Sequence, residues 1–318
     1  MLFANPGVRP RSTLEQAPTA VWLDLINPTD DERAAAAAAT GLTLPSRAEI
    51  SEVEMSSRAS TQDRVLFLNS PVSYRDAEGR SAIASVGFVL SEHRLVTLRF
   101  AEMPAFDRFA ERFAGQACAG GAEAFAGLIE AVVDRMADVM ERVGAELDQL
   151  SRGVFSGADA RRQRGGRSDL LRAALVGVGR CGDTIGNLRD TVLGLGRIVG
   201  YAQLSRLAWI DETVHARLAT AREDIASLSD YDEQLTSKSG FLLDAVLGFI
   251  SIEQNDGVRV LTIVSVVGIP PTFVVGLYGM NFKSIQEYDW VYGYQYGLAV
   301  IALSIIVPLV WFRVKGWL

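Results

Sequence analysis

The chain has 318 residues, with 38 acidic against 31 basic side chains and a formal net charge of −7 at pH 7. The basic residues are scattered and form no stripe, so nucleic acid is excluded as an expected partner. The two cysteines, Cys118 and Cys181, provide neither a disulfide framework nor metal-finger spacing, which suits a reducing compartment.

The opening stretch MLFANPGVRPRSTLEQ has no apolar core of the kind a cleaved signal peptide needs, and none is expected. VWLDLI then reads as a strand. TDDERAAAAAATG reads as a capped helix ending at Gly41, its six alanines being helix formers. The segment from Arg64 to Phe100 alternates apolar and polar residues around an Asp-Ala-Glu-Gly turn, predicting three or four strands joined by tight turns. Residues 1–120 are thus expected to form an α/β domain.

Residues 121–210 change to a helical pattern. Phe125, Leu128, Ile129, Val132, Val133, Met136, Val139, Met140 and Val143 recur at the i, i+3, i+4, i+7 spacing of an amphipathic helix with an acidic outer face. A second helix is predicted from about Ser168 to Leu207. Within it, GVGRCGDT has the spacing of a phosphate loop, but Asp183 stands where a lysine should neutralise phosphate, and no strand precedes it. Nucleotide binding there is rejected. A third helix begins near Asp211 with no strong breaker as far as Tyr278, and at about 1.5 Å per residue it would be about 100 Å long. A helix of that length needs neighbours to support it.

Two apolar runs follow, 19 residues without a charge from Val260 to Tyr278 and 23 from Trp290 to Phe312. Each approaches the roughly 20 residues that cross a bilayer, and Pro270 and Pro271 in the first are better tolerated in membrane helices than in soluble ones. Arg259 precedes the first run, Arg313 and Lys315 follow the second, and the connection carries Lys283 against Glu287 and Asp289. The positive flanks predict both termini on the cytoplasmic side. The expected organisation is 211–281 as a stalk helix continuing into the first span, 282–289 as an external loop, 290–312 as the second span and 313–318 as a cytoplasmic tail. An α+β cytoplasmic domain therefore precedes two C-terminal membrane helices in contact with lipid.

Between the runs lies GLYGMNFKSIQ. The string Tyr-Gly-Met-Asn-Phe at the outer end of one span, followed by a short loop and a final span, resembles the CorA family of divalent-cation channels, whose signature is Gly-Met-Asn. The resemblance runs back through VLTIVSVVGIPPTFVVGLYGMNF and on to EYDWVYGY and the terminal KGWL. It implies a funnel-shaped homopentamer in the inner (plasma) membrane, transporting Mg²⁺ and also Co²⁺ and Ni²⁺. It implies no enzyme activity, no catalytic residue and no cofactor beyond the transported ion itself.

Two helices per chain cannot enclose a water-filled path, so several copies must share one. Asp244, Asn255, Val258, Leu261, Ile269, Thr272, Gly276 and Gly279 fall within an arc of about 120° on the first span. By the resemblance, Asp244, Asn255 and Thr272 match polar pore positions, with Val258 and Leu261 as an apolar constriction. At the mouth, Gly279, Met280 and Asn281 form the implied selectivity filter. Asn281 amide oxygens and Gly279 carbonyls would bind the water shell that Mg²⁺ gives up reluctantly, while Met280 and Tyr278 brace the loop. Glu287 matches the acidic residue of the family's external loop, but the family's Met-Pro-Glu-Leu sequence is altered here and Pro271 is additional. These departures leave two other readings open: a Zn²⁺ transporter resembling ZntB, whose glycine-rich loop KSIQEYDW lacks, and a non-conducting membrane-anchored scaffold.

The family also holds regulatory Mg²⁺ between neighbouring cytoplasmic domains. Thr220 stands at the matching stalk position, but Glu223 and Asp224 lie one turn away and Asp76 sits in the turn that matches the other ligand. These three are the expected regulatory acids, since Mg²⁺ accepts one or two carboxylates with retained water.

Overall fold

The computed structural model describes residues 2–4, 19–52, 59–113, 120–156, 166–205, 207–280 and 290–318. It divides into two compact units, Met1–Arg161 with Arg172–Leu243, and Arg162–Leu171 with Asp244–Leu318.

In the first unit, strands β1 (Leu2–Ala4), β2 (Trp22–Ile26), β3 (Ala59–Gln62), β4 (Val65–Arg75), β5 (Ser81–Leu90) and β6 (Leu95–Arg99) form one sheet in the order β1-β2-β6-β5-β4-β3. Only β2 and β6 are parallel; the other pairs are antiparallel. The period-2 alternation sends Leu23, Leu25, Val89, Val96 and Leu98 into a small core on one face and Trp22, Leu66, Leu68, Phe88 and Leu95 into a larger one on the other. The small core is covered by α1 (Asp30–Thr40) and α2 (Arg47–Ile50). Both begin with capping boxes, Thr29 with Glu32 and Ser46 with Glu49. Gly41 ends α1 at φ 71°, as its sequence position predicts.

The β4–β5 hairpin pairs from Leu66↔Leu90 to Arg75↔Ser81 and closes through the expected Asp-Ala-Glu-Gly turn, in which Gly79 takes φ 77°. Against the larger core lie α3 (Pro104–Phe113), α4 (Gly121–Ser156), α5 (Gly166–Leu204) and the first part of α6 (Glu212–Tyr278). Of the nine apolar positions expected to face inward on α4, all are buried except Val139, which is half-buried and packed on the same core.

The direction of the helices follows from their polar ties. Glu130 and Asp148 of α4 pair in order with Arg217 and Lys238 of α6, so these two helices run parallel. On α5, Gln203 meets Arg222 while Arg189 meets Asp232, so α5 runs antiparallel to both. Residues 177–184 lie inside α5, and a Cβ at Gly177 would stand 3.0 Å from the Leu150 side chain. The glycine that imitates a phosphate loop is there to let α5 approach α4.

The second unit holds the remainder of α6 and α7 (Gly293–Val314), which are, among the described residues, the two helices long and apolar enough to cross a membrane. The α6 helix is unbroken over 67 residues, with Pro270 and Pro271 inside it. α7 begins three residues later than the expected span and ends two later.

Candidate functional site

In the second unit, α6 and α7 form an antiparallel hairpin. Val275, Tyr278 and Gly279 of α6 share a cavity with Gly293, Tyr294, Gly297 and Ile301 of α7. At the other end, the Arg259 guanidinium lies over the Trp317 ring at 5.6 Å, and Trp317 in turn stacks on Phe312 with centroids 5.4 Å apart. Gly316, at φ 70°, turns the tail back so that the Trp317 N–H donates to the Phe312 carbonyl. The two basic flanks, Arg259 and Arg313–Lys315, therefore lie at the same end of the hairpin.

Asp244, Asn255, Val258, Leu261, Ile269, Thr272, Gly276 and Gly279 are all exposed in the single chain. On roughly the opposite side, at 100° per residue, lie half-buried Ile263, Val267, Pro270, Val274 and Tyr278, while Thr262 and Ser265, also half-buried, fall within the arc itself. α6 thus turns mainly the opposite side toward its own chain and leaves the eight named pore positions open.

Hydroxyls on this stretch are tied back to the helix. Thr262 Oγ1 donates to the Val258 carbonyl at 2.8 Å and Thr272 Oγ1 to the Gly268 carbonyl at 2.9 Å. The Thr272 oxygen keeps its lone pairs on the open face, where it can accept from water. The helix ends where Gly279 N–H donates to the Val275 carbonyl, and Met280 follows, 45% exposed. Asn281 and Glu287 lie outside the described residues.

The expected regulatory acids sit in the first unit on separate elements. Glu223 and Asp224 are exposed on α6. Asp76 occupies the β4–β5 turn, where its carboxylate accepts from the Arg80 backbone N–H at 2.8 Å and from Arg80 Nε at 2.9 Å. Partial desolvation raises the Asp76 pKa, but the Arg80 backbone and guanidinium hydrogen bonds outweigh it and hold the carboxyl below its ordinary value. A metal at Asp76 therefore has to compete with Arg80. Among the described residues, no group of three or more His, Cys, Asp or Glu side chains is placed to hold a metal ion.

The most deeply buried polar network has no counterpart in the sequence reading. Asp24 on β2 accepts from Thr97 Oγ1 at 2.6 Å and from Arg99 Nε at 3.0 Å, and Trp22 Nε1 donates to Thr97 Oγ1 at 3.1 Å. Arg99 also reaches Asp107 on α3 at 3.1 Å and lies over the Phe106 ring. Both Asp24 and Arg99 are 1% exposed. Burial pushes the Asp24 carboxyl above its ordinary value against the pull of Arg99. This network pins α3 to the two parallel strands.

An α+β unit joined through one unbroken helix to an apolar two-helix hairpin defines a membrane protein with a large extramembrane domain. The chain belongs to the CorA-like Mg²⁺ transporter protein family, which it matches over residues 18–314. It is 34% identical over 306 residues to the magnesium transport protein CorA of Escherichia coli strain K12, covering 94% of this chain and 92% of that one. The complete CorA magnesium transporter structure from Methanocaldococcus jannaschii superimposes with a TM-score of 0.75 at 16% identity, over 100% of this chain and 99% of that one. The ZntB cytoplasmic domain from Vibrio parahaemolyticus shares the fold less closely, with a TM-score of 0.54 at 11% identity over 72% of this chain and 87% of that one.

Proposed function

We propose that the chain is a Mg²⁺ uptake channel of the inner membrane, assembled as a pentamer around the open face of α6, with both termini in the cytoplasm. The observation that carries this reading is that all eight expected pore positions from Asp244 to Gly279 are exposed in the single chain, along one uninterrupted helix leading to Met280 and Asn281. Five such faces would line a path in which Asn255 and Thr272 meet water, while Val258 and Leu261 form an apolar constriction. The position of Arg259 and the basic tail at one end of the hairpin supports the orientation, since positive flanks favour the cytoplasm.

The chemistry at the mouth follows from the ion. Mg²⁺ holds an octahedral water shell tightly, so carboxylates directly in its path would strip or trap it. A ring of Asn281 amide oxygens with Gly279 carbonyls instead accepts hydrogen bonds from the coordinated waters and releases the ion intact. Glu287 adds a negative field outside, partly offset by Lys283. Inward movement needs no fuel, because a divalent ion gains about 4.6 kcal/mol per 100 mV of inside-negative potential.

Co²⁺ and Ni²⁺, with hydrated shells of similar geometry, would share the path. Asp76 with Glu223 or Asp224 of a neighbouring chain would form the regulatory Mg²⁺ site, with Arg80 as the intramolecular competitor for Asp76. The decisive experiment is uptake by proteoliposomes of Mg²⁺, Co²⁺, Ni²⁺ and Zn²⁺ under an imposed inside-negative potential. Saturable Mg²⁺ entry that is lost in Asn281→Ala, with the oligomer still assembled, supports the reading. Selective Zn²⁺ transport, or no transport, would replace it with the ZntB-like or the scaffold reading.

A further inference from the structure

A second cavity, of about 220 Å³, lies in the first unit between the end of β4, the start of β5 and helices α3, α4 and α5. Arg75, Arg135, Ser73 and Ser81 line it, with Met103 and Val139 in its floor, and Arg135 also lines a neighbouring depression with Arg108, Glu111, Arg112 and Asp134. Arg135 is unusual in a folded domain. Its side chain is only 22% exposed, yet its sole ion-pair partner among the described residues is Asp138, at 3.9 Å and beyond hydrogen-bonding distance. Asp138 is also shared with Arg108 at 3.5 Å.

Burial lowers the Arg135 pKa, and the nearby charges of Arg142, Arg108 and Arg75 lower it further against the single opposing pull of Asp138. A largely buried guanidinium in an uncompensated positive field is costly unless something supplies acceptors. The acids of the cavity do not supply them: Asp107 is engaged by Arg99, and Glu102 is exposed at the rim. Arg75 spends one donor on the Gly79 carbonyl at 2.7 Å and keeps the rest. Ser81 Oγ accepts from Asn187, which leaves its own proton free to donate.

We infer that this cavity binds a small phosphate monoester, the phosphate held by Arg135, Arg75 and the serine hydroxyls and a small apolar group seated on the floor between α3 and α4. Planar guanidinium forks match oxyanions in bidentate fashion, and two of them with added hydroxyl donors suit a dianion better than a single carboxylate. The volume lies below the roughly 300–1,000 Å³ of sites for drug-sized ligands, so the ligand is smaller than a nucleotide. The site lies within the first unit, and its test does not require transport.

The experiment is isothermal titration of the purified full chain with phenyl phosphate, inorganic phosphate and benzoate. Phenyl phosphate should bind saturably at one site per chain, more tightly than either of the others. Arg135→Gln should weaken it by about tenfold or more, the loss expected for a hydrogen bond between charged groups. Arg75→Gln should weaken it less, and Arg152→Gln, a charge-matched change on the exposed side of α4, should leave it unchanged. Should Arg135→Gln fail to fold, as judged by tryptophan fluorescence, Arg135→Lys keeps the charge without the fork and should also bind more weakly. Absence of binding, equal binding by Arg135→Gln or Arg135→Lys, or equal affinity for benzoate would overturn the assignment. So would dissociation of the oligomer by Arg135→Glu in a chain that binds no phosphate ester, because Arg135 would then belong to a subunit contact.

Discussion

Arg99 shows what a single residue does when it is buried without solvent to soften its charge. It is held by Asp24, Asp107 and the Ala101 carbonyl at 2.9 to 3.3 Å, and its plane covers Phe106. Removing one member of such a pair leaves the other charged and unpaired in a low-dielectric interior, which costs about 3–5 kcal/mol. Arg99→Ala should therefore lower the urea midpoint of the first unit sharply. Trp22, hydrogen-bonded into the network through Thr97, should report the change in its fluorescence. A midpoint unchanged from the parent would mean that the network is dispensable. None of this was legible in the sequence, because VWLDLI reads as a strand whether Asp24 faces water or core, and its partners lie 73 and 75 residues away. The Asp76 turn was legible, because its glycine and its capping arginine fall within four residues. Where β4, β5 and three helices had to come together around Arg135, no local pattern announced the result.

At the scale of elements, the long helices approach one another through glycines that sequence periodicity treats as mere tolerances. Gly194 of α5 crosses β4 so closely that a Cβ would stand 2.5 Å from Ser70 Oγ and 2.6 Å from Pro71 Cδ. Gly194→Ala should cost about 1–3 kcal/mol by overpacking. Gly186 on the same helix has nothing within 4 Å, and Gly186→Ala should instead stabilise by about 0.4–1 kcal/mol. Thermal unfolding of the two variants side by side checks the sign of each change. The start of α6 is set by Asp211, whose carboxylate accepts from the Val214 backbone N–H at 2.8 Å and from Thr213 Oγ1 at 2.8 Å. The Val214 bond is the main cause of a pKa held below the ordinary 3.8. A depressed carboxyl contributes stability that is complete above the unfolded value and disappears as the pH falls through the folded one. Amide protection in the first turn of α6, corrected for intrinsic exchange, should therefore drop below about pH 3.8 in the parent. In Asp211→Ala it should be low and free of that step at every pH.

For the whole molecule, the membrane hairpin was the most legible part, since its length, its basic flanks and the Gly-Met-Asn string all sit within some sixty residues of continuous sequence. The packing of the first unit was less so, because ion pairs such as Glu130 with Arg217 join positions 87 apart. What links the two parts is α6, which carries the Asp232 and Lys238 ties to the helical layer and, further along, the open face with Val258 and Leu261. A ring of apolar side chains at this level would empty of water when narrow and conduct when slightly wider, so small movements of α6 would gate the path. Leu261→Asn would keep the size of the side chain while giving water hydrogen-bond partners at the constriction. In proteoliposomes with high internal Mg²⁺, where the regulatory acids would hold the parent shut, Leu261→Asn should admit Mg²⁺ several-fold faster. At low internal Mg²⁺ the two should differ little, because the parent constriction is then already wide. Val258→Asn, one turn toward the cytoplasm, should behave the same way, whereas Val264→Asn, exposed outside the arc, should not. Parent-like inhibition in both constriction variants would show that closure lies elsewhere on α6.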